Sequence, residues 1–255
     1  MEQYVKDFVK AMGTTGSLFF DKQYLETGDI TLPLKDGRRA LYFINLGGFC
    51  DGESGTILSA AYARKIIKEN LINDFDILYG PAYKGITIID STCNGLYKIF
   101  GINKQWAYRR KESKGHGEMG DFIGKKFFDG CRLLMADDVI SSAATKFTEI
   151  DEVSAVAEKN KMDIGFTGLV IAADRQQKAV IDGKIDEGGR QIDISAAQYF
   201  TQKTDLPFHC ISGVEEAIPH LYENKIEGPD GELVVTDKAM QEFEKYQKEF
   251  GVKPV

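Results

Sequence analysis

Apolar runs that alternate with segments of helical periodicity constrain the fold of this chain more than any other feature. The runs lie at 75–79, 106–108, 133–136, 164–173 and 208–211. Helical spacing predicts helices at 57–71, 86–100, 142–160, 194–203 and 214–222. Strands buried on both faces of a sheet are continuously apolar, and parallel neighbours are joined by helical crossovers. The alternation therefore predicts an α/β fold with a central, mainly parallel sheet flanked by helices.

Further elements lie outside this alternation. Apolar residues at helical spacing predict an amphipathic helix at 1–12. The dipeptide Asp36-Gly37 lies between two apolar runs and is typical of the turn of a β-hairpin. The segment 177–190 is polar and contains glycines, so we expect an excursion from the core there.

The C-terminal part of the chain differs from the rest in composition. A turn at 228–231 precedes a charged segment at 237–250, which has helical spacing and one apolar face. We expect this helix to dock on the domain surface or on a partner, without chemistry of its own. The resulting division is a single domain at 1–225 and a C-terminal helical extension at 226–255.

Composition and charge restrict the class of function. With 43% hydrophobic and 28% charged residues, the 255-residue chain is typical of a soluble globular protein. Its net charge of −7 argues against nucleic-acid binding through bulk charge, so an anion site must come from a local group of cations. Residues 1–10 do not resemble a signal peptide, and no apolar run reaches the ~18 residues that span a membrane. We expect a cytoplasmic protein with no membrane or nucleic-acid partner.

The cysteines do not form a metal or disulfide pattern. Four of them lie far apart in sequence, without a CxxC pair, and the chain has only three histidines. A zinc site is therefore not expected. Because each cysteine lies in or next to an apolar stretch, buried and reduced thiols are the simplest expectation.

An acid pair directly follows the apolar run at 133–136. The segment from Cys131 to Phe147 is CRLLMADDVISSAATKF, in which Asp137 and Asp138 precede a turn of small and hydroxylated residues. Paired carboxylates at the carboxyl end of a strand can accept hydrogen bonds from a vicinal diol. Backbone N–H groups of a turn that opens a helix can hold a phosphate. The segment thus indicates a site for a ribose 5-phosphate, or else a strand that merely ends in solvated acids before a capped helix.

Three other segments place polar side chains near the same sheet edge. The glycine-rich segment 109–118 contains four cations and a histidine, Arg109, Arg110, Lys111, Lys114 and His116. Such a loop can close over a polyanionic leaving group, although a bare charge run is most often inert surface. Lys84, in a Gly-Pro turn, offers another phosphate contact. Arg175 can grip a planar carboxylate with two hydrogen bonds or pair with Asp174.

From residue 28 to residue 222 the chain resembles the orotate phosphoribosyltransferases in the order and spacing of its motifs. The matching motifs are TLPLKDGR, FDILYGPAYKGI, RRKESKGHGEMG, LLMADDVI and AADRQ. The acid pair alone indicates only a type I phosphoribosyltransferase, whereas RKE-x-K-x-HGE followed by DDVI is specific to the family. The resemblance implies the type I phosphoribosyltransferase fold, with a small hood from about 1–50 and 190–225.

The resemblance also implies a reaction. The 5-phosphoribosyl group of phosphoribosyl pyrophosphate is transferred to orotate, giving orotidine 5′-phosphate and pyrophosphate in UMP synthesis. Mg²⁺ is expected to bind mainly through the substrate, with no ligand directly from the protein. A homodimer with shared active sites is expected, in which part of the cationic loop reaches the neighbouring subunit.

Residue roles follow from the matched motifs. Asp137 and Asp138 are expected to hold the ribose hydroxyls, and the backbone of 139–145 is expected to hold the 5-phosphate. The residues expected to act in catalysis are Arg110, Lys111, Lys114, His116, Asp137 and Asp138. Those expected to bind phosphoribosyl pyrophosphate also include Lys35, Tyr83, Lys84, Val139, Ile140, Ser141, Ser142, Ala143, Ala144 and Thr145. Those expected to bind orotate are Phe43, Ile44, Ser141 and Arg175.

Two features depart from the family pattern. The phosphate turn, typically TAGTA, is here Ser141-Ser142-Ala143-Ala144-Thr145, so Ala143 replaces a glycine and restricts the backbone. The hairpin carries two extra residues around Pro33-Leu34, and Ile44 replaces a stacking aromatic.

Three alternative functions remain at this point. A related transferase for another base shares the ribose-phosphate site, but the set formed by Lys84, the loop and Arg175 favours an anionic pyrimidine. A non-catalytic regulator that senses phosphoribosyl pyrophosphate usually carries a nucleic-acid-binding segment, which neither terminus resembles. A generic doubly wound ligand-binding domain does not explain the cationic loop.

Overall fold

The computed structural model describes residues 1–29, 31–34, 36–111, 122–140 and 143–252. Its helices are α1 (Gln3–Thr14), α2 (Lys22–Thr27), α3 (Gly52–Lys68), α4 (Lys84–Phe100), α5 (Ala144–Asn160), α6 (Ala196–Thr204), α7 (Val214–Glu223) and α8 (Asp237–Phe250). Its strands are β1 (Leu18–Phe20), β2 (Leu32–Pro33), β3 (Arg39–Ala40), β4 (Tyr42–Ile44), β5 (Ile77–Tyr79), β6 (Gln105–Arg109), β7 (Phe122–Gly124), β8 (Cys131–Ile140), β9 (Ile164–Asp174), β10 (Lys178–Ile181), β11 (Arg190–Ser195) and β12 (Phe208–Gly213).

The main sheet has six strands in the order β12-β9-β8-β5-β6-β7. The first five pair in parallel, and only β7 runs antiparallel to its neighbour β6. Alternate side chains of β8 enter opposite hydrophobic clusters, one containing residues of α1, α3, α4, α7 and α8 and the other residues of α5 and α6. The predicted α/β architecture, a mainly parallel sheet with helices on both faces, is therefore confirmed.

Small antiparallel pairs surround this sheet. Strands β2 and β3 form the hairpin predicted around Asp36-Gly37, while β4 pairs with β1, which the sequence did not predict. The segment 177–190, predicted as an excursion, contains β10, which pairs with β11. Three successive residues of β10, Ala179, Val180 and Ile181, are buried, whereas exposed and less exposed residues alternate along β11. Its charged residues at the open positions concealed the strand pattern.

Two predicted boundaries were wrong for physical reasons. Strand β8 extends beyond Ala136, so Asp137 and Asp138 lie inside the strand; its pairing with β9 continues as far as Ile140 and Asp174. Helix α3 begins five residues before the predicted Ile57, at Gly52. Its start is fixed by a capping box, in which the Asp51 side chain accepts from the Ser54 backbone N–H at 2.8 Å.

The C-terminal helix α8 spans the residues predicted for it and packs within the same chain. Thr236 caps its N-terminus, and Phe243 and Tyr246 are buried in the cluster that contains α1 and α7. Their rings lie against Tyr42 of β4. The apolar face is therefore covered by the protein itself.

The cysteines are free, but the expectation that all are buried was wrong. Cys131 is buried, Cys93 and Cys210 are half-buried, and Cys50 is exposed just before α3. None of the described helices is both long and apolar enough to cross a membrane.

Candidate active site

A cleft of ≈ 390 Å³ opens where β5, β8 and β9 end. Its floor is formed by the end of β8, and its walls come from β4, the β5–α4 turn and the first turn of α5. Ligands of open parallel sheets bind at this edge, beyond the carboxyl ends of the strands. The residues that line the cleft are Pro33, Leu34, Phe43, Ile44, Pro81, Ala82, Tyr83, Lys84, Lys111, Asp137, Asp138, Val139, Ala143, Ala144, Thr145, Lys146 and Arg175.

The two acids at the floor are each paired with a lysine. Lys146 Nζ donates to Asp137 Oδ2 at 2.5 Å and to the Val139 carbonyl at 2.9 Å. Lys84 Nζ donates to Asp138 Oδ2 at 2.6 Å. The Lys146–Asp137 pair is almost fully buried, whereas half of the Lys84 side chain is exposed. Each carboxylate is thus balanced by one lysine, and of the two lysines Lys84 is the one that is accessible from the cleft.

The N-terminus of α5 faces the cleft without a side-chain cap. Ala143 occupies the N-cap position, and alanine has no side-chain oxygen that could accept from the first N–H groups. Its backbone is left-handed, with φ 63° and ψ −5°, a conformation that favours glycine. The first N–H groups of a helix lack intrahelical partners and bear partial positive charge. Together with Ala144 and Thr145 at the cleft wall, this arrangement suits a phosphate.

The β5–α4 turn places Lys84 at the cleft, next to Lys111, which follows β6. A side chain on Gly80 or Gly85 would collide with the backbone of the other residue, at 2.4 Å and 2.7 Å, so the tight turn requires both glycines. The turn exposes Tyr83 and places Lys84 at the first position of α4. Lys111 Nζ lies 4.7 Å from the centre of the Tyr83 ring, which brings a second lysine to this side of the cleft.

Arg175 forms the opposite wall. Its guanidinium carbon lies 4.4 Å from the centre of the Tyr42 ring, and Nη2 donates to the Tyr42 carbonyl at 3.1 Å. Nε donates to Gln177 Oε1 at 3.4 Å. Asp174 does not contact the guanidinium in these hydrogen bonds; its carboxylate accepts from the Gln176 backbone N–H at 2.9 Å. Burial raises the pKa of Asp174, which that hydrogen bond partly offsets.

Arg109, the first cation of the loop, lies outside the cleft and has a structural role. It forms an ion pair with Glu149 of α5 at 3.4 Å, and the Tyr79 hydroxyl donates to the same carboxylate at 2.5 Å. Burial and the charge of Glu149 raise the pKa of Tyr79 well above its usual value. These contacts hold the end of β6 against α5.

The structure brings many of the predicted residues together. The predicted residues that line the cleft are Phe43, Ile44, Tyr83, Lys84, Lys111, Asp137, Asp138, Val139, Ala143, Ala144, Thr145 and Arg175. Arg110 does not line it, and the Ile140 side chain is buried in the cluster beneath α5. Five other predicted residues lie outside the described part of the chain: Lys35, Lys114, His116, Ser141 and Ser142.

Lys146 is the charged cleft residue that sequence reasoning missed. It lies nine residues after Asp137, and its side chain turns back from the first turn of α5 to the acid pair. In the sequence, nothing distinguishes this lysine from an exposed lysine in the first turn of a helix. Its burial depends on the fold. Pro33, Leu34, Pro81 and Ala82 were also not predicted to contact ligand.

The described residues contain no group of three or more His, Cys, Asp or Glu side chains that could hold a metal ion. The carboxylates among the cleft-lining residues are those of Asp137 and Asp138. Mg²⁺ is commonly bound by one or two carboxylates together with substrate phosphates. This donor set fits an ion that is held mainly by the substrate.

Three larger cavities, of ≈ 490 Å³, ≈ 460 Å³ and ≈ 430 Å³, lie elsewhere. In the first, the cation Lys22 is paired at the surface with Asp230 and Glu232. None of the three is lined both by the end of a main-sheet strand and by a helix N-terminus. The cleft at β8 is therefore the best candidate for the active site, although its volume is smaller.

Known proteins resemble the chain over its whole length. No protein-family model matches it. Among curated relatives, the orotate phosphoribosyltransferase of Clostridium acetobutylicum is 33% identical over 253 residues, 99% of this chain and 100% of the relative. That of Bifidobacterium adolescentis is 32% identical, over 91% of this chain and 94% of the relative. The crystal structure of the Francisella tularensis orotate phosphoribosyltransferase, 24% identical, has a TM-score of 0.67 and covers 93% of this chain and 95% of its own, so the fold is shared. At 33% identity over nearly all of its length, the chain belongs to the orotate phosphoribosyltransferase family.

Proposed function

We propose that this chain transfers the 5-phosphoribosyl group from phosphoribosyl pyrophosphate to orotate, giving orotidine 5′-phosphate and pyrophosphate in UMP synthesis. It is a pentosyltransferase by its family. One observation carries the proposal. A single cleft is lined by an acid pair, by the uncapped N-terminus of α5, by three lysines, of which Lys84 and Lys111 lie on one side, and by a buried arginine. These groups match the ribose, the 5-phosphate, the pyrophosphate and the orotate carboxylate.

The ribose phosphate is assigned to the end of β8 and the start of α5. The carboxylates of Asp137 and Asp138 accept hydrogen bonds from the two ribose hydroxyls. The backbone N–H groups at Ala144 and Thr145 bind the 5-phosphate at the positive end of the helix dipole. The left-handed backbone of Ala143 supports this assignment, because it lets the chain turn into the helix without a side-chain cap.

The pyrophosphate is assigned to the lysine side of the cleft. Lys84 is half exposed and can exchange Asp138 for a phosphate oxygen. Lys111 lies on the same side, over the Tyr83 ring. Sequence adds Lys35, Arg110, Lys114 and His116, of which only Arg110 is in the described part of the chain.

Orotate is assigned to the wall formed by β4 and Arg175. The guanidinium can donate two parallel hydrogen bonds to the planar carboxylate of orotate. Phe43 and Ile44 line the same cleft and offer apolar surface for the pyrimidine ring. Ser141 is included in the base site on sequence alone.

The mechanism requires no nucleophilic side chain. As the bond to pyrophosphate breaks, positive charge builds on the ribose C1 and negative charge on the leaving group. Mg²⁺, when bound with the substrate, neutralises part of the pyrophosphate charge. Lys84 and Lys111 stabilise the remaining negative charge, while Asp137 and Asp138 hold the ribose in place. Loss of one such contact typically costs about 3 kcal/mol, a rate factor of about a hundred.

Assembly and location belong to the same proposal. We infer a homodimer in which part of the cationic loop reaches the partner's active site, and a cytoplasmic location. The hood formed by about 1–50 and 190–225, and the division into 1–225 and 226–255, also remain proposals.

One assay tests the function. Protein, Mg²⁺, phosphoribosyl pyrophosphate and orotate are mixed, and the loss of orotate absorbance is followed, with adenine, hypoxanthine and uracil as control bases. We expect rapid loss with orotate and no product with the purines. Turnover of a purine in place of orotate would replace this function by that of a related transferase. Binding of phosphoribosyl pyrophosphate without turnover of any base would favour a sensor.

A further inference from the structure

Lys146 is a buried cation at the floor of the cleft, beside the acid pair. Its side chain is 7% exposed, and its Nζ donates to Asp137 Oδ2 at 2.5 Å and to the Val139 carbonyl at 2.9 Å. That carbonyl belongs to the backbone of β8, so it anchors the ammonium group to the strand. The ammonium group in turn fixes the position of one carboxylate oxygen of Asp137.

The rest of Asp137 is held by contacts that do not involve Lys146. The buried Tyr62 hydroxyl donates to the Asp137 carbonyl at 2.6 Å. Asp137 Oδ1 accepts from the Asp138 backbone N–H at 2.9 Å. Each carboxylate oxygen can accept two hydrogen bonds, and these contacts use one site on each. The carboxylate is therefore held at both oxygens and keeps acceptor sites for a ligand.

The neighbouring acid has a different kind of partner. Lys84, which pairs with Asp138, is half exposed and is assigned above to the pyrophosphate. Lys146 has no such freedom, because it is enclosed and donates to two fixed groups. A ligand that draws Lys84 away from Asp138 therefore leaves the contact between Lys146 and Asp137 intact.

Stability alone does not account for the pair of Lys146 and Asp137. Taking two charges out of water costs free energy that their attraction roughly repays, and apolar side chains of similar volume often stabilise a protein as well or better. Both members of the pair line the cleft. A ligand hydroxyl gains most from an acceptor that is already in place before binding, because no side-chain freedom is then lost.

We propose that Lys146 is a positioning residue for the ribose. It orients the carboxylate of Asp137 so that an acceptor site of that group receives one ribose hydroxyl. The inference rests on the proposed function, which assigns the ribose hydroxyls to Asp137 and Asp138. It concerns the ribose half of the site and does not depend on which base is transferred.

The test compares sugars that differ by one hydroxyl. Ribose 5-phosphate and its 2-deoxy and 3-deoxy analogues share the 5-phosphate, so the ratios of their dissociation constants report on the hydroxyl contacts. We expect the unchanged protein to bind each analogue about tenfold more weakly than ribose 5-phosphate, as is typical of a lost hydrogen bond to a charged group. In Lys146→Met one of the two ratios should fall close to one, and the other should be kept.

Isothermal titration measures the three dissociation constants. An unfolded fraction weakens the apparent binding of all three sugars by the same factor, so it leaves the ratios unchanged. A loss of positive charge near the phosphate also affects the three sugars alike. The ratios therefore respond to the hydroxyl contacts and not to a general loss of stability or charge.

Lys104→Met is the matched control. Lys104 is half-buried, and its Nζ donates to the Phe75 carbonyl at 2.6 Å, so the same substitution again removes a lysine contact to the backbone. Phe75 precedes β5 and Lys104 precedes β6, which places this contact at the edge of the sheet opposite the cleft. We expect both ratios to equal those of the unchanged protein, whatever stability is lost.

A double variant extends the test to the case in which Lys146→Met does not fold. Asp137→Asn together with Lys146→Met leaves no charge of the buried pair without a partner. If Lys146 acts through Asp137, the double variant and Asp137→Asn alone have the same two ratios. A loss in the double variant of the ratio that Asp137→Asn retains would overturn the proposal, because Lys146 would then act on the site as a whole.

The outcomes separate this inference from the proposed function. If the unchanged protein prefers ribose 5-phosphate to both analogues and Lys146→Met keeps both preferences, the positioning role is overturned while the proposed function stands. Equal loss of both preferences also overturns it. If the unchanged protein transfers the phosphoribosyl group to a base other than orotate, the proposed function fails and the ratios still test Lys146. If it has no preference for ribose 5-phosphate, the assignment of the hydroxyls fails and this inference fails with it.

Discussion

The buried pair between Lys146 and Asp137 gives the sharpest test of the cleft geometry. Replacing Lys146 by methionine keeps most of the side-chain volume and removes the charge. Asp137 then keeps the Asp138 backbone N–H as a donor, at 2.9 Å, but loses its ion pair. Because the exposed fractions of the two side chains are only 7% and 9%, water cannot readily replace the lysine.

The size of the effect follows from this burial. Two unit charges 4 Å apart attract by about 4 kcal/mol at an effective dielectric constant of 20. Breaking a buried ion pair typically costs about 3–5 kcal/mol, because one charge is left uncompensated. We therefore expect Lys146→Met to lower the free energy of unfolding by about 3–5 kcal/mol.

Lys84→Met is the matched control at the neighbouring acid. The Lys84–Asp138 pair is 2.6 Å long, but 50% of the Lys84 side chain is exposed. Asp138 is as buried as Asp137, with 9% of its side chain exposed, but solvent reaches the half-exposed Lys84 and screens this pair, so Lys84→Met should lose less stability than Lys146→Met. A double variant, Asp137→Asn with Lys146→Met, should recover much of the stability lost in Lys146→Met alone, since no charge is left unpaired.

Urea unfolding provides the assay. The chain has one tryptophan, Trp106 on β6, whose fluorescence reports on the main sheet. Equal stability of Lys146→Met and Lys84→Met would refute the reasoning, because it would mean that Lys146 is not buried against Asp137. Failure of the double variant to recover would show that the methionine itself disturbs the packing of α5.

Three further predictions address the loop, the phosphate turn and pH. Lys114→Ala should lower turnover about a hundredfold with little change in either KM, as steady-state kinetics will show, and unchanged turnover would exclude the loop's catalytic role. Ala143→Gly removes the strain of a left-handed alanine, about 1–2 kcal/mol, and this stabilises the folded protein. The greater conformational entropy of glycine in the unfolded chain destabilises it by about 0.4–1 kcal/mol, so the melting temperature should rise by about 2–4 °C. A lower melting temperature would contradict the left-handed backbone at this position. Burial lowers the pKa of His209 below 6.5, although Glu69 opposes this. The unfolded chain then binds the proton more readily, so stability that is present above pH 6.5 is lost as the pH falls below it. In urea unfolding at a series of pH values, His209→Gln should make the free energy of unfolding depend less on pH. The same dependence on pH in this variant and in the unchanged protein would show that His209 is not its source.

The fold was predictable from sequence where the hydrophobic pattern is strong. Continuous apolar runs predicted β5, β6, β8, β9 and β12, because strands buried on both faces require them. The pattern failed for β1, β10 and β11, which are short strands in two-stranded pairs; β1 and β11 also contain exposed residues that interrupt an apolar run. It also failed at the end of β8, where the strand continues through two aspartates because its partner β9 continues beside it.

Those residues of the candidate site could be predicted whose place in the fold follows from their position along the chain. Asp137, Asp138 and Lys84 lie next to strand or helix ends, where position along the chain predicts position at the sheet edge. Lys146 was missed because burial of a lysine depends on which residues face it in three dimensions. The apolar face of α8 was visible in the sequence, but its contact with Tyr42 depends on long-range packing that no spacing encodes.

The assignment of the cleft is tested most directly by a crystal structure with orotidine 5′-phosphate bound. We predict that the phosphate lies against the backbone N–H groups of Ala144 and Thr145, and that the ribose hydroxyls meet the carboxylates of Asp137 and Asp138. The carboxylate of the base should lie against the guanidinium of Arg175. A nucleotide bound in another cavity, or bound here with its base carboxylate away from Arg175, would contradict the account.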